Sequence, residues 1–174
     1  MLIIKTERLV LRPLALSDLK TTHEYASDTE TTKYMVYLPN RTLQETESFL
    51  RSAAEEWAKA IPQFCEFAIT LGGTHIGAVS ISLSENGQTG ELGWIINKKY
   101  QGNGYATEAA KAITKYAINT LQVKRIIAHC DYRNAASYRV MQKLGMRLES
   151  DTGTRRNKGA DEDVQDLKYS MNIK

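Results

Sequence analysis

Cysteine is scarce in this chain: Cys65 and Cys130 are the two among 174 residues. Two are too few for a disulfide framework, and they carry no metal-ligand spacing; a reduced cytoplasm is the expected setting. Long apolar runs are missing as well. None approaches the roughly 20 residues of a membrane span, and Lys5, Glu7 and Arg8 interrupt the apolar opening before a signal-peptide core can build. Charge of one sign is also lacking. With 23 basic and 20 acidic residues the net charge is +3, too balanced for the clustered basic face that nucleic acid requires. No internal repeat or low-complexity tract is present. What remains is 42% hydrophobic and 25% charged, ordinary for a globular domain. A chain of this length buries about 70% of its unfolded surface in one core, so one domain over residues 1–174 is expected.

The most patterned stretch is Gly90 to Ala110, GELGWIINKKYQGNGYATEAA. Leu92, Trp94 and Ile96 alternate with Glu91, Gly93 and Ile95, the period of a strand. Gln101, Gly102, Asn103, Gly104, Tyr105 and Ala106 then lead into a helix with apolar positions Ala109, Ala110, Ile113, Ala117 and Leu121. The first turn of a helix has free N–H groups and a partial positive charge, which favour an anion. Glycines at 102 and 104 let backbone approach a bulky phosphate. The stretch therefore reads as a pyrophosphate cradle, the plainer alternative being a turn that only joins strand to helix. Two common cradles do not match. Gly104-Tyr105-Ala106 stands where a P-loop needs Gly-Lys-Ser/Thr, and Thr107 stands where a dinucleotide fingerprint needs a third glycine or alanine.

Gln101-x-x-Gly104-x-Ala106 resembles the Gln/Arg-x-x-Gly-x-Gly/Ala signature of the GNAT superfamily of N-acetyltransferases. The longer run Tyr100 to Ala109 is similar to the RimJ/RimL-type branch, which acetylates protein N-termini and, in many members, small amines. The resemblance implies that residues 101 to 106 bind the pyrophosphate of acetyl-coenzyme A through backbone N–H groups, with no metal.

The remaining elements read in order. Ile3 to Pro13 alternates as a first strand, and Ser17 caps a short helix that runs to Ala26. Thr42 and Glu45 form a capping-box pattern before a helix with the apolar stripe Phe49, Leu50, Ala53, Trp57 and Ile61, stopped by Pro62. Gln63 to Leu71 and His75 to Leu83 form a hairpin across Gly72-Gly73. Lys124 to Tyr132 is a strand parallel to the central one. Asn134 caps a helix from Ala135 to Leu144. Arg147 to Asp151 and Val164 to Asn172 are closing strands, joined through Arg155 to Asp163 by a connection read as mobile. This β-α-α-β-β-β-α-β-α-β-β order is that of the GNAT fold. The resemblance implies an α/β (α+β) architecture: a central mixed seven-stranded sheet flanked by four helices. The sheet would be splayed between its fourth and fifth strands, with the pantetheine arm of the cofactor in the gap, paired to backbone near Trp94, Ile95 and Ile96.

Acetyl transfer from a thioester to an amine needs a neutral amine, a polarised carbonyl, a route for the thiolate and alignment. A lysine-like amine is almost wholly protonated at neutral pH, whereas an α-amine is about a tenth free. Glu91, ten residues before Gln101, is the first choice for organising the base, and His129 is the second. Asn134-Ala-Ala-Ser137 resembles the family's Asn-x-x-Ser motif, which implies that Asn134 touches the pantetheine arm and Ser137 donates to the sulfur. Met141 stands where other branches place a tyrosine acid. Lys98, Lys99, Arg139 and Lys143 are available for phosphates, and Tyr34, Met35 and Tyr37 for the acceptor wall. Cys130 as an acyl-carrying nucleophile is rejected, because no Cys–His–acid set surrounds it in sequence. The expected activity is acetyl-coenzyme A-dependent N-acetylation of a primary amine, a protein N-terminus or a small amine. The alternatives are a non-catalytic acyl-coenzyme A sensor and a polyamine or aminoglycoside acetyltransferase. No membrane or nucleic-acid partner is expected, and a homodimer is compatible with the resemblance.

Overall fold

The computed structural model describes residues 2–173. Its strands are β1 (Ile4–Lys5), β2 (Leu9–Pro13), β3 (Phe64–Leu71), β4 (Thr74–Leu83), β5 (Thr89–Ile96), β6 (Arg125–Asp131), β7 (Arg147–Arg155) and β8 (Val164–Asn172). The helices are α1 (Leu19–Ala26), α2 (Thr29–Thr32), α3 (Leu43–Ala58), α4 (Tyr105–Asn119) and α5 (Ala135–Lys143). All strands join one sheet in the order β1-β2-β3-β4-β5-β6-β8-β7. Neighbours are antiparallel except β5 and β6, which the α4 crossover makes parallel.

The sheet has eight strands rather than seven because the stretch from Ile3 to Pro13 folds back on itself. Thr6 N–H donates to Leu9 O, and Leu9 N–H to Thr6 Oγ1, each at 2.9 Å. That turn pairs Ile4 with Leu11 as a short edge hairpin. The fifth helix is the single turn α2, capped by Asp28 Oδ2 accepting from Thr31 N–H at 2.9 Å. Helix α3 opens as expected, with Thr42 Oγ1 accepting from Glu45 N–H, but it ends at Ala58. Glu56 takes the N–H of Gln63 at 3.1 Å and draws the chain away early, so Ile61 is 73% exposed and outside the buried stripe. Phe49 also leaves the stripe and lies edge-on to Phe64.

The core lies between the sheet and α4. Ala109, Ile113 and Ala117 are fully buried against Leu9, Leu11, Phe67, Ile69, Val79, Ile81, Leu92 and Ile126. Burying one large aliphatic side chain of this kind contributes about 1.5–3 kcal/mol, and the alanines bring the helix axis close to β5. At the β3–β4 turn Gly72 and Gly73 take φ of 56° and 86°, the mirror-image turn that matches strand twist.

The connection between β7 and β8 is pinned, contrary to the mobile reading. β7 extends to Arg155, four residues beyond the expected end at Asp151. Asn157, 1% exposed, donates through Nδ2 to Asp131 Oδ2 at 2.6 Å, and Lys158 N–H donates to Met35 O at 2.9 Å. Asp131 is fully buried at the end of β6 and also accepts a bidentate pair of hydrogen bonds from Arg133 Nε and Nη2. Asn157→Ala removes a buried donor to that carboxylate, at a cost of about 1–3 kcal/mol. The expected result is a lower urea midpoint with an unchanged m-value.

Candidate active site

The gap in the sheet follows from how little β5 and β6 share. They pair only at Thr89–Arg125, Gly90–Ile126 and Glu91–Ile127. Beyond Glu91, β5 follows β4 to Ile96 while β6 follows β8 to Asp131. Backbone alternation decides which groups face the gap. Asn97 N–H donates to Ile76 O on β4, so the amides of Ile95 and Gly93 also point to β4, and those of Trp94 and Ile96 point into the gap. The Ile96 carbonyl is already held by Gln101 Nε2 at 2.8 Å. Of the three residues expected to pair with the cofactor, Trp94 therefore offers an open N–H and C=O, Ile96 its N–H, and Ile95 neither. An amide-bearing arm added here would extend the sheet as a strand.

The cradle is built at the next turn. Gly102 and Gly104 take φ of 80° and 81°, the left-handed region that other residues avoid. Gly104 is the N-cap of α4, and no side chain caps the helix. The N–H groups from Gly102 to Ala106, with Asn103 and Tyr105 between, make no hydrogen bond within the described residues. Gln101 and Asn103 use their side chains to shape the loop: Asn103 Nδ2 donates to the carbonyls of Tyr100 and Gln101. An anion would thus meet backbone amides and the helix dipole. These residues fit a pyrophosphate.

Among the cations named from sequence, Lys98 is bound to Asp28 at 2.8 Å and Lys99 lies 3.7 Å from Glu24, so both are committed to α1 and α2. Lys98 holds the Asp28 carboxyl down at about 2. Arg139 and Lys143 are exposed on α5. Arg8, missed in the sequence, lies at the cradle itself. Its Nη1 donates to Asn103 O at 3.1 Å, its Nε to Glu108 Oε2 at 2.7 Å, and its guanidinium lies over the Tyr105 ring. Only the β1–β2 hairpin brings it there, and no local pattern marks it.

On the other bank of the gap, Asn134 Oδ1 caps α5 by accepting from Ser137 N–H at 3.2 Å, which leaves its amide nitrogen for the cleft. Ser137 lies beside Cys130. Burial pushes the Cys130 thiol up to about 11, which disfavours the thiolate a nucleophile needs. Tyr138 packs on the core and Met141 is fully buried. His129 turns away from Cys130 toward the cleft, with Nδ1 2.6 Å from Asp166 Oδ2, and Arg155 completes a cluster on the same carboxylate at 3.2 Å.

His129, Cys130, Asn134, Ser137, Arg155 and Asp166 line one cavity of about 800 Å³. Glu91 faces it from the fork, where β5 and β6 part. Tyr34, Met35 and Tyr37 form a wall opposite, tied down where Arg155 donates to Tyr34 O at 3.2 Å. The floor holds a group that the sequence reading passed over: Glu66 on β3. Burial raises its carboxyl to about 8, and the Ser80 hydroxyl beside it pulls the other way. A signal was available, since Glu66 is the one acid in the otherwise apolar run FCEFAITL.

The family profile described as an acetyltransferase (GNAT) domain matches residues 8–147. An N-acetyltransferase of Bacillus subtilis, YnaD, is 35% identical over 148 residues, 84% of this chain and 83% of that protein. A GNAT acetyltransferase from Bacillus anthracis superposes with a TM-score of 0.85 at 32% identity, covering 98% of both chains. RimL, an acetyltransferase of the ribosomal L7/L12 α-amine solved with coenzyme A, shares the fold with a TM-score of 0.82 at 19% identity, over 99% of this chain and 98% of that one. The chain belongs to the GNAT family of N-acetyltransferases, and acetyl-coenzyme A is its acetyl donor. No described helix is long and apolar enough to cross a membrane.

A side chain at Gly104 would have to enter the left-handed region at about 1–2 kcal/mol. Gly104→Ala should therefore weaken coenzyme A binding about tenfold by calorimetry, with the circular dichroism spectrum unchanged.

Proposed function

We propose that this enzyme acetylates a primary amine by direct attack within a ternary complex. One observation carries the reading: an open cradle of amides and an open strand edge meet a cleft with carboxyl groups at its fork and floor. Residues 102 to 106 would hold the diphosphate, and the Trp94 carbonyl and Ile96 N–H the pantetheine amides, which aims the thioester at the fork. Glu91 would draw the acceptor ammonium to that point and organise the water around it. The Trp94 N–H, directed into the gap, would polarise the carbonyl. Ser137 would donate to the departing thiolate, whose thiol pKa near 8.5 makes it a tolerable leaving group. Asn134 would fix the arm beside Ser137, and His129, tied to Asp166, serves as structure rather than as base.

The acceptor is a primary amine on a protein N-terminus or on a small molecule, with the RimJ/RimL-type branch as the source of the first reading. The small-amine reading has its own support in Glu66, since a floor carboxyl suits a cation. Thiol release measured over peptides, polyamines and aminoglycosides separates them. Release with none, despite coenzyme A binding, would make the protein a sensor. For the roles, Ser137→Ala should lower kcat about a hundredfold, the lower end of the range for one lost proton donor, with coenzyme A affinity nearly unchanged. Equal loss in both would assign Ser137 to binding. Cys130→Ala should keep turnover; abolished turnover with ping-pong kinetics would overturn the direct-attack scheme.

A further inference from the structure

Glu66 stands two strands from the gap, in register with Ser80 on β4 and Gly93 on β5. At about 4.8 Å per strand, Ser80 bridges the roughly 10 Å between Glu66 and the β5 backbone. Gly93 makes that bridge possible. A Cβ there would stand 2.8 Å from Ser80 Oγ, so the missing side chain lets the hydroxyl lie against β5 at the edge of the gap. A second observation points to a ligand at the same floor. Thr22 and Tyr25 of α1 are 1% and 3% exposed. They line the same cavity, where the two hydroxyls lie beside each other and neither has any further hydrogen-bond partner among the described residues. Buried polar groups are nearly always paired, so this under-satisfied pair of hydroxyls in the cavity that holds a buried carboxyl marks a place for a polar guest.

The geometry points to Glu66 as the final acceptor of the proton shed by the substrate ammonium, reached through the Ser80 hydroxyl, with Thr22 and Tyr25 holding the guest in line. This rests on the acetyltransfer reading above and adds the proton's route to it. The steps balance. An N–H bond of the ammonium breaks and its proton passes to Ser80 Oγ while the Ser80 proton passes to the Glu66 carboxylate. The neutral nitrogen then bonds to the acetyl carbon as the carbon–sulfur bond breaks, and the nitrogen's second N–H proton passes by way of the Ser137 hydroxyl to the departing thiolate, which leaves as the thiol. Glu66 returns its own proton to solvent after the product leaves. Glu66 acts through Ser80 and is a positioning and proton-storing group. Burial already sets its carboxyl near the pH at which such a base works best. The arrival of an ammonium favours its ionised form. The other titratable groups facing this floor are Tyr25 from α1, Glu91 from β5, Tyr34 and Tyr37 from the wall, and Cys130 with the His129–Asp166–Arg155 cluster across the cleft.

The test compares two acceptors: an alkylamine with a pKa near that of a lysine side chain, about 10.4, and a hydrazide that is neutral at pH 7. Glu66→Gln, which keeps the shape, should cost the alkylamine about 100-fold or more in kcat/KM at pH 7 and the hydrazide only a few-fold. The inflection of the alkylamine profile near pH 8 should vanish. Glu66→Asp should restore part of both, and Ser80→Ala should repeat the pattern more weakly. Coenzyme A affinity should stay unchanged in all three. A readout without turnover comes from carbon NMR of the Glu66 carboxyl in donor-free protein: its titration should shift to lower pH when the alkylamine is added. Equal losses on both acceptors, or a pH profile and NMR titration indifferent to these changes, overturn the relay while leaving acetyltransfer intact. Wild-type protein that releases no thiol with any amine overturns the acetyltransfer reading, and the relay with it.

Discussion

Three residue pairs hold β5 to β6, and the site exists because there is no fourth. Each strand is secured on its other side, β5 by seven register pairs with β4 and β6 by seven with β8. The parting therefore leaves one edge of each strand open without loosening the core beneath. Gly90 leaves room for the β4 side chain that packs beneath the fork, since a Cβ there would stand 2.6 Å from Ile81 Cδ1. Backbone groups on an open interior edge need partners. Here the amides of Trp94 supply a ladder that an amide-bearing arm completes, so the gap is a binding surface by virtue of its missing strand.

The same division of labour recurs in the cradle. The side chains of Gln101 and Asn103 are consumed in holding the loop, the first on Ile96 O and the second on Tyr100 O and Gln101 O. What they hold open is a row of amides at the head of α4. A signature read from side chains thus works through the backbone, and the side chains keep the amides aimed. Arg8 adds to this from a remote hairpin, gripping Asn103 O and Glu108 together. Against its burial, Glu108 is drawn down by the Thr6 hydroxyl and then by Arg8, so the negative charge in the first turn of α4 is already matched before any phosphate arrives.

Most of the fold was legible, because it rests on local signals. The Gly72-Gly73 turn, the Thr42 and Asn134 caps, and the alanine face of α4 each state their geometry within a few residues. The errors came where distant contacts overrule the local pattern. Alternation cannot show that Thr6 turns the first strand back on itself, nor that Asn157 ties a charged connection to Asp131 from 26 residues away. The site divided in the same manner. The cradle and Asn134-x-x-Ser137 stand in contiguous sequence, whereas Arg8, Thr22, Tyr25 and Glu66 gather only after the sheet forms. The backbone direction of Ile95 was legible in principle, since period-2 alternation sends it to β4 when Trp94 faces the gap.

The floor of the cleft also bears on which acceptor the enzyme meets. Folding alone would favour an apolar residue at position 66, where burial penalises a carboxylate, and it would not leave the hydroxyls of Thr22 and Tyr25 with no partner beyond each other. Sites that oppose stability in this manner tend to be functional. An α-amine is already about a tenth neutral near pH 7, but an alkylamine is neutral in fewer than about one molecule in a thousand. Only the second gains much from a buried carboxyl poised to receive a proton. On the proposed relay, a floor with Glu66 weighs toward a strongly basic amine and away from a protein N-terminus.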